Sequence, residues 1–303
     1  MQGSENVEIR KRTGTIGIVT VTFNSGSVLA DFISSLEGQS YSDFLVWAVD
    51  NASKDDTIPL LQAWKDPRLI IIANETNVGV AAGNNQGISA ALAQGCDYVL
   101  LLNNDVFFGP DLLQGLLSGL DEYSCSMIVP LIYYSQPENM IWCAGGTFRR
   151  NFAWLSIHFG FKEIDEGKFN EARQISFAPT CCLLAKRDVF DQVGLMDERY
   201  FVLADDTDFM YRALLAGIVT YYIPDIRLWH KVSVLRGEES PFSQRYYSRN
   251  RAFFIKKNLG RWTTLKFSLL YRAYFFVRWL TRKDNWETMI RKERGWSEGL
   301  RIQ

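Results

Sequence analysis

Alternation of short apolar runs with helical segments is the feature that most constrains the fold of this 303-residue chain. Four apolar or β-branched runs predict buried strands, at residues 16–23, 44–50, 69–73 and 98–102. Strands that alternate with helices form a parallel sheet with right-handed crossovers. We therefore expect an α/β fold whose polar residues collect at the carboxyl ends of the strands.

Helix signals lie between these strands. An amphipathic segment spans residues 27–37, Ser53 is placed to cap a helix into Asp55 and Asp56, and residues 80–94 are rich in small residues. Pro110 suits the first turn of a helix that reaches about residue 120. After residues 126–130 the alternation weakens, and the aromatic, turn-rich sequence predicts strands that cover the sheet edge and shape one side of a binding site.

Two acidic clusters stand out. The strand at residues 98–102 ends in Asn103, Asn104 and Asp105, and residues 204–208 read Ala-Asp-Asp-Thr-Asp. Both clusters also have structural explanations. Asn and Asp are common in ordinary turns, and the helix dipole favours acids in the first turn of a helix such as the one predicted at 206–216. Crowded acids repel unless a cation, a proton or a substrate relieves them, and two clusters favour a divalent cation and a general base.

The composition, 47% hydrophobic and 22% charged, predicts one substantial globular domain plus an appendage. Five cysteines form no Cys-x-x-Cys pair and follow no secretory signal, so we expect reduced thiols in a cytosolic protein. With only His158 and His230 available as histidine ligands, zinc is not expected.

The charge is asymmetric along the chain. Residues 241–303 contain 15 Lys and Arg against 4 Asp and Glu, a net charge of +11, whereas residues 1–240 carry −12. Fourteen aromatic residues in the basic part favour a membrane surface or a packed interface over nucleic acid, which we do not expect as a partner.

Charges also interrupt the apolar stretch 262–280, at Lys266, Arg272 and Arg278, so it should not cross a bilayer. On a helical projection, Arg261, Arg272, Arg278 and Arg282 fall within an arc of about 120°, with Lys266 opposite. Residues 261–282 then form either an interfacial helix on anionic lipid or a helix packed on the catalytic domain or in a homodimer.

Several short motifs, taken in order, resemble those of glycosyltransferase family 2. They are Val-Thr-Phe-Asn (21–24), Val-Asp-Asn-Ala-Ser (49–53), Asn-x-Gly-x-Ala-x-Gly-Asn-Asn-x-Gly (77–87), Leu-Asn-Asn-Asp (102–105), Asp-Asp-x-Asp-x-x-x-Arg (205–212) and His230. The resemblance covers about residues 14–260, is greatest to the bacterial rhamnosyltransferase-like branch, and implies an inverting, nucleotide-sugar-dependent enzyme. It also implies the GT-A fold, a Rossmann-like, mostly parallel sheet flanked by helices.

The implied organisation has a flexible N-terminus (1–13), a GT-A catalytic domain (14–240) and a basic, aromatic helical region (241–303). The nucleotide-sugar half would span about 14–106 and the acceptor half about 107–240. Donor contacts are implied at Thr22, Phe23, Asn24, Asp50, Asn51, Asn77, Gly79, Gly83, Asn84, Asn103 and Asn104. Asp50 would accept hydrogen bonds from the base or ribose, or cap the next helix, and the glycines would admit the diphosphate or allow tight helix packing.

By the same resemblance, Asp105 matches the last acid of an Asp-x-Asp motif that binds Mg²⁺ or Mn²⁺ at the donor diphosphate. Asn103 replaces the first acid, which weakens the attraction for a cation, and it would orient ribose or sugar hydroxyls. His230 matches a position that contacts the metal or the diphosphate, although a core histidine would explain it equally.

Asp206 matches the general base, with Asp205 as the alternative, and Asp205 and Asp208 would help to raise its pKa. Arg212 would pair with Asp208 one helical turn away. Asp208 and Trp229 would face the acceptor.

The resemblance predicts transfer of a sugar to a glycan or polyprenyl-linked hydroxyl in bacterial surface-polysaccharide assembly: cell wall, O-antigen or capsule. The expected donor is dTDP-L-rhamnose, and UDP-linked galactofuranose, glucose or N-acetylhexosamine are alternatives. The expected place is the bacterial cytoplasm, peripherally at the inner face of the plasma membrane. A sugar-nucleotide pyrophosphorylase would need more glycine after the first strand than residues 22–26 offer, and an inactive glycan-binding or scaffold protein is the alternative of another class.

Overall fold

A computed structural model describes residues 14–232 and 240–303 of the chain. The first half alternates strands with helices: β1 (Ile16–Thr22), α1 (Leu29–Glu37), β2 (Phe44–Asp50), α2 (Thr57–Ala63), β3 (Leu69–Ala73), α3 (Val80–Ala93) and β4 (Tyr98–Leu102). The four strands are parallel in the order β3-β2-β1-β4. The parallel sheet expected from the apolar runs is confirmed, and three strands have the predicted bounds.

The second half adds these elements: β5 (Val106–Phe108), α4 (Leu112–Glu122), β6 (Met127–Tyr134), β7 (Ile141–Cys143), β8 (Gly146–Arg149), β9 (Leu155–His158), β10 (Arg173–Ile175), β11 (Cys182–Lys186), α5 (Arg187–Val193), α6 (Asp205–Leu215), β12 (Thr220–His230), α7 (Pro241–Leu280) and α8 (Trp286–Arg301). The sheet continues from β4 through β11, β6 and β12 to β10, with β11 antiparallel to both neighbours. Most strands after residue 126 therefore extend the sheet, which corrects the expectation that they cover its edge. Among the strands that the structure describes, only β8 and β9 form a separate hairpin.

Helices cover both faces of the sheet, and this explains why the strands are apolar without alternation. Val19 and Leu101 contribute to the core on one face, whereas Ile18 and Leu100 contribute to the core on the other. All four side chains are at most 1% exposed. Burying such a side chain stabilises the fold by about 1.5–3 kcal/mol.

Close contact between α3 and β1 explains the small residues of the 77–87 motif. A Cβ added at Gly83 would lie 3.0 Å from both methyl groups of Val21, and one at Gly87 would overlap Val19. The packing alternative for Gly83 is therefore supported, and its approach to a diphosphate stays a prediction.

Two predicted helix starts were wrong in detail. Helix α2 begins at Thr57 after Asp56, and Ser53 lies in the preceding loop, where its side chain bonds to Asp50 and Asn24 instead of capping the helix. Helix α4 begins after Asp111, so Pro110 precedes its first turn.

Helices α7 and α8 complete the structure. Gly260, with a left-handed φ of 76°, divides the 40-residue α7 into two halves. The first half contributes Phe253 and Phe254 to the same core as the sheet, and the second half packs on α8, where the Tyr271 and Trp296 rings stack at 4.4 Å. Among residues 14–232 and 240–303, none of the helices combines the length and apolar character needed to cross a membrane.

Candidate active site

The ends of β1 and β2 lie side by side and carry Thr22 and Asp50 as register partners. The Thr22 hydroxyl donates to Oδ1 of Asp50 at 2.8 Å. Ser53 donates to the same carboxylate through its hydroxyl at 2.5 Å and its backbone N–H at 2.9 Å. Because Asp50 is only 2% exposed, its carboxylate braces the loop that follows β2. Contact of Thr22 and Asp50 with a nucleotide stays a prediction.

Phe23 and Asn24 form the accessible part of this edge. Asn24 adopts a left-handed φ of 51°, its N–H donates to the Ser53 hydroxyl at 2.9 Å, and its side-chain oxygen accepts from the Lys54 N–H at 2.8 Å. The Phe23 side chain is 36% exposed. A fixed polar loop and an exposed aromatic ring thus stand where the sequence predicts nucleotide contacts.

The turn before α3 connects this edge to a more distant loop. The Asn51 amide donates to the Gly79 carbonyl at 3.0 Å, and the Gly79 N–H donates to Oδ1 of Asn77 at 2.9 Å. Gly79 has a φ of 89°, and a Cβ there would lie 2.5 Å from the carbonyl oxygen of Phe201. Glycine is therefore needed for contact with the Phe201 loop, which precedes α6.

Two further predicted donor residues contact protein instead. The Asn84 amide lies 3.6 Å from the Met196 sulfur, while its neighbour Asn85 exchanges two 2.9 Å hydrogen bonds with the Met196 backbone. Asn104 donates to the carbonyl of Val21 at 2.6 Å and is 8% exposed. These amides hold neighbouring segments together, and contact of Asn84 and Asn104 with a donor stays a prediction.

Asp105 and His230 meet because β5 pairs antiparallel with β12, which sets Val106 opposite His230. The His230 Nε2 atom lies 3.1 Å from Oδ1 of Asp105, and the Asn103 amide nitrogen lies 3.5 Å from the same Nε2. His230 is the last residue of the 11-residue strand β12. All three side chains thus gather at the end of β4.

This pair is strongly coupled. Burial favours the neutral form of Asp105, but His230 beside it holds the pKa of the carboxyl below its usual value. Burial likewise disfavours the imidazolium, yet Cys181 and Asp105 next to the ring outweigh it and raise the pKa of His230. Without a cation, the two side chains therefore form a buried ion pair.

A divalent cation fits this pair only if a bound substrate supplies further coordinating atoms. One carboxylate oxygen and one imidazole nitrogen are donors that suit Mn²⁺ or Mg²⁺. Within residues 14–232 and 240–303, however, no three His, Cys, Asp or Glu side chains come together to hold a metal ion. Oxygens of a bound diphosphate would complete such a site.

The second acidic cluster opens α6. Asp205 is 4% exposed, whereas Asp206 is only partly buried and accepts the Thr207 N–H at 2.6 Å. Burial raises the pKa of Asp205 to about 7, aided by Asp206 and Asp208, and burial raises the pKa of Asp206 to about 6. Asp206 is thus the more accessible acid and the one that ionises first.

Asp208, expected on the acceptor side, points into the protein and is fully buried. Lys257 binds both of its oxygens at 2.8 Å, and Arg212 binds Oδ2 at 2.9 Å. The predicted Arg212 pair is confirmed. Contact of Asp208 with an acceptor is not supported, because these cations and the Tyr200 hydroxyl occupy the carboxylate.

The β7 to β9 segment connects the two acidic clusters. The Trp142 ring contacts His230, with centroids 4.6 Å apart, and His158, at 5.0 Å. Two residues before His158, on the same side of β9, Ser156 is hydrogen-bonded to Thr207 at 3.2 Å. The β7 to β9 segment therefore contacts His230 through Trp142 and the start of α6 through Ser156.

Trp229, also expected on the acceptor side, stacks against Phe107 at 5.5 Å and Tyr133 at 5.9 Å. Its indole N–H donates to the Glu138 carbonyl at 3.1 Å. These contacts fix the ring beside His230, and its contact with an acceptor stays a prediction.

The model of the family described as "Glycosyl transferase family 2" matches residues 17–194, more than half of the chain. The chain belongs to glycosyltransferase family 2. It is therefore a glycosyltransferase.

This glycosyltransferase is similar to relatives along much of its length. An N-acetylglucosaminyl-diphospho-decaprenol L-rhamnosyltransferase of Mycobacterium tuberculosis is 25% identical, and the alignment covers 90% of this chain and 96% of the relative. The dTDP-rhamnosyl transferase RfbF of Shigella flexneri is 24% identical over 60% of this chain and 61% of the relative.

Solved structures show that the glycosyltransferase has the GT-A fold. The mannosyltransferase PcManGT of Pyrobaculum calidifontis, in complex with GDP-Man and Mn²⁺, has a TM-score of 0.57 and 14% identity; the match covers 82% of this chain and 65% of that one. TarS of S. aureus, residues 1–349 with UDP, has a TM-score of 0.56 and 17% identity, covering 91% and 76%.

Asn250, which no sequence motif marks, holds the loop before the acids of the glycosyltransferase. Phe201, Leu203 and Ala204 all have left-handed φ values, between 62° and 68°. Such residues cost about 1–2 kcal/mol each and persist only where the surroundings hold them. The fully buried Asn250 amide donates to the carbonyls of Tyr200, Val202 and Leu203 at 3.0, 2.7 and 2.7 Å.

No sequence signal pointed to Asn250, because it lies on a helix some fifty residues beyond the carbonyls it binds. Lys257, about two turns further along the same helix, carries no sequence signal for the same reason. The first half of α7 thus packs into the same core as the sheet and holds the loop before α6, whereas the sequence predicted a separate helical region from residue 241.

Proposed function

We propose that this glycosyltransferase transfers a sugar, with inversion, from a nucleoside diphosphate to a hydroxyl of a glycan or lipid-linked acceptor. The preferred donor is dTDP-β-L-rhamnose, and the setting is surface-polysaccharide assembly at the inner face of the bacterial plasma membrane. The rhamnose donor is supported by the M. tuberculosis relative, whose name specifies an L-rhamnosyltransferase and which this chain matches over nearly its full length. UDP-linked galactofuranose, glucose and N-acetylhexosamine are the alternative donors.

One observation carries the enzymatic assignment: Asp206 is a partly accessible carboxylate with a raised pKa, and the same β7 to β9 segment contacts its neighbour Thr207 and His230 of the Asp105–His230 pair. Asp206 would accept the proton of the acceptor hydroxyl as its oxygen bonds to the anomeric carbon. The bond from that carbon to the diphosphate oxygen breaks on the opposite face, and configuration inverts.

The first acidic cluster would bind the cation, and the second would supply the general base. Asp105 and His230 would hold a divalent cation, which when bound offsets the negative charge of the leaving diphosphate. A structural neighbour that contains Mn²⁺ supports this cofactor. Residues 14–106 would bind the nucleotide-sugar and 107–240 the acceptor, with Phe23, Asn24, Asn77 and Asn103 at the donor side.

Direct assay of the purified chain tests the proposal. We would supply dTDP-rhamnose and the UDP-sugars with a soluble N-acetylglucosaminyl-diphosphate acceptor, follow nucleoside diphosphate release, and determine the anomeric configuration of the product by NMR. Inverted product that is lost in Asp206→Asn, while calorimetry shows unchanged nucleotide binding, is the expected result. Failure to bind any nucleotide would contradict the proposal and favour the glycan-binding or scaffold alternative.

A further inference from the structure

The second half of α7 exposes an apolar stripe. Six large side chains, each between 51% and 71% exposed, share one side of this half: Trp262, Leu265, Leu269, Phe276, Val277 and Leu280. At about 100° per residue they fall, with Leu270, within an arc of about 140°. We call these seven residues the α7 stripe. An exposed apolar surface of this extent marks an interaction site.

The other side of this half faces the protein. Phe267 and Phe275 are buried there, and the Trp296 indole of α8 donates to the Ser268 hydroxyl at 3.2 Å. The arginines that the sequence suggested as a lipid-binding face lie towards this side. Arg272 binds Glu293 and Arg278 binds Asp284, both at 2.9 Å. Two of the four arginines, Arg272 and Arg278, are therefore paired within the protein, and the apolar face points outward.

The charge around the α7 stripe suits an anionic surface. Residues 261–283 contain six Lys and Arg and no Asp or Glu. Lys266 is exposed and lies within the arc of the stripe, and Arg261, Arg282 and Lys283 lie at its ends. Apolar and aromatic side chains flanked by basic residues are typical of helices that lie in a membrane interface.

A second copy of the chain fits the α7 stripe less well than an anionic lipid surface does. In a two-fold dimer across the stripe, Lys266 of one copy would meet the same region of the other, which offers no acid between residues 261 and 283. Burying that unpaired ammonium would oppose association. At a bilayer the long lysine side chain can instead reach the anionic headgroups.

We propose that the α7 stripe docks the enzyme on an anionic lipid bilayer, with the second half of α7 lying in the plane of the interface. The first half of the same helix carries Asn250, which binds the loop before Asp206. Docking would thus connect the acid pair to the surface where a lipid-linked acceptor resides. The inference rests on the proposed function only for the nature of that acceptor.

Vesicle sedimentation tests the docking surface. We would compare the wild type with Leu269→Glu/Phe276→Glu on vesicles of phosphatidylcholine alone and of phosphatidylcholine with phosphatidylglycerol, without donor or acceptor. The wild type should bind the anionic vesicles, and the double variant should bind them at least about tenfold more weakly. Lys266→Glu should reduce only the part of binding that depends on phosphatidylglycerol and salt.

Leu215→Glu is the matched control, because Leu215 is an equally exposed leucine, 65% accessible, outside the stripe. It should bind vesicles like the wild type. Equal vesicle binding by the double variant, or a wild-type dimer in sedimentation velocity that the double variant dissociates, would overturn the proposal. Transfer to a water-soluble acceptor should be the same in the wild type and the double variant, so a failure of docking is distinguishable from a failure of the proposed activity.

Discussion

The paired acids at the start of α6 allow the general base to be tested through its titration. Burial raises the pKa of Asp205 to about 7 and that of Asp206 to about 6. Between these values one proton is shared by the pair and resides mainly on Asp205. Asp206, the more accessible acid, is then ionised near neutral pH and can accept the proton of an acceptor hydroxyl.

The ionisation of Asp206 before Asp205 predicts how kcat/KM depends on pH. We expect kcat/KM to be near its maximum above about pH 7, to halve at about pH 6, and to fall roughly tenfold per pH unit below that, since only the carboxylate accepts a proton. Asp206→Asn should lower kcat by about 10²–10⁴-fold, the usual contribution of general base catalysis. Asp205→Asn should retain activity within about tenfold.

The assay is initial-rate release of nucleoside diphosphate between about pH 5 and about pH 9, with nucleotide affinity measured by calorimetry at each pH. Unchanged affinity in Asp206→Asn would assign its loss to chemistry. A flat profile down to about pH 5 would refute the reasoning. So would a loss of activity in Asp205→Asn that spares Asp206→Asn, because it would make the buried acid the base.

Three further predictions follow from the site. Asn250→Ala should lower the free energy of unfolding by about 2–4 kcal/mol, because it leaves buried carbonyls without donors, whereas Asn139→Ala on the surface should change it by less than about 0.5 kcal/mol in urea titrations. Asp105→Ala should weaken nucleoside diphosphate binding about tenfold or more in Mn²⁺ but little in EDTA; equal affinities in Mn²⁺ would exclude Asp105 as a ligand. Asp205→Asn should be more stable than the wild type near pH 8, by at most roughly 4 kcal/mol, with the difference gone below about pH 4. The sign follows because the folded chain holds this proton more tightly than the unfolded chain, so wild-type stability falls as pH rises from about 4 to about 7; a stability difference that did not shrink at low pH would contradict it.

Local sequence determined the parallel half of the fold. The bounds of β2, β3 and β4 were predicted correctly, because each is a short apolar run between turn residues and helix signals. The pairing of Arg212 with Asp208 was also predictable, since the two residues lie one helical turn apart. The family motifs placed the two acidic clusters, although no spacing could say which acid would be accessible.

Tertiary structure decided the contacts between distant segments. His230 reaches Asp105 only because β12 pairs with β5, and a strand register between segments so far apart leaves no local signal. Gly83 and Asn104 were predicted only as donor contacts or packing positions, and the structure shows that Gly83 packs on Val21 and that Asn104 donates to the Val21 carbonyl.

The second half of α7 also shows that local sequence does not determine contacts between segments. Its charge and aromatic content predicted a helix that meets another surface, and the helical period correctly grouped the arginines. Which side α8 would cover depended on the packing of Trp296 against Tyr271 and on the acids that α8 presents to Arg272 and Arg278. The sequence by itself determined an amphipathic helix, and the tertiary structure decided which of its faces is exposed, because burial depends on a partner that the helix's own sequence does not contain.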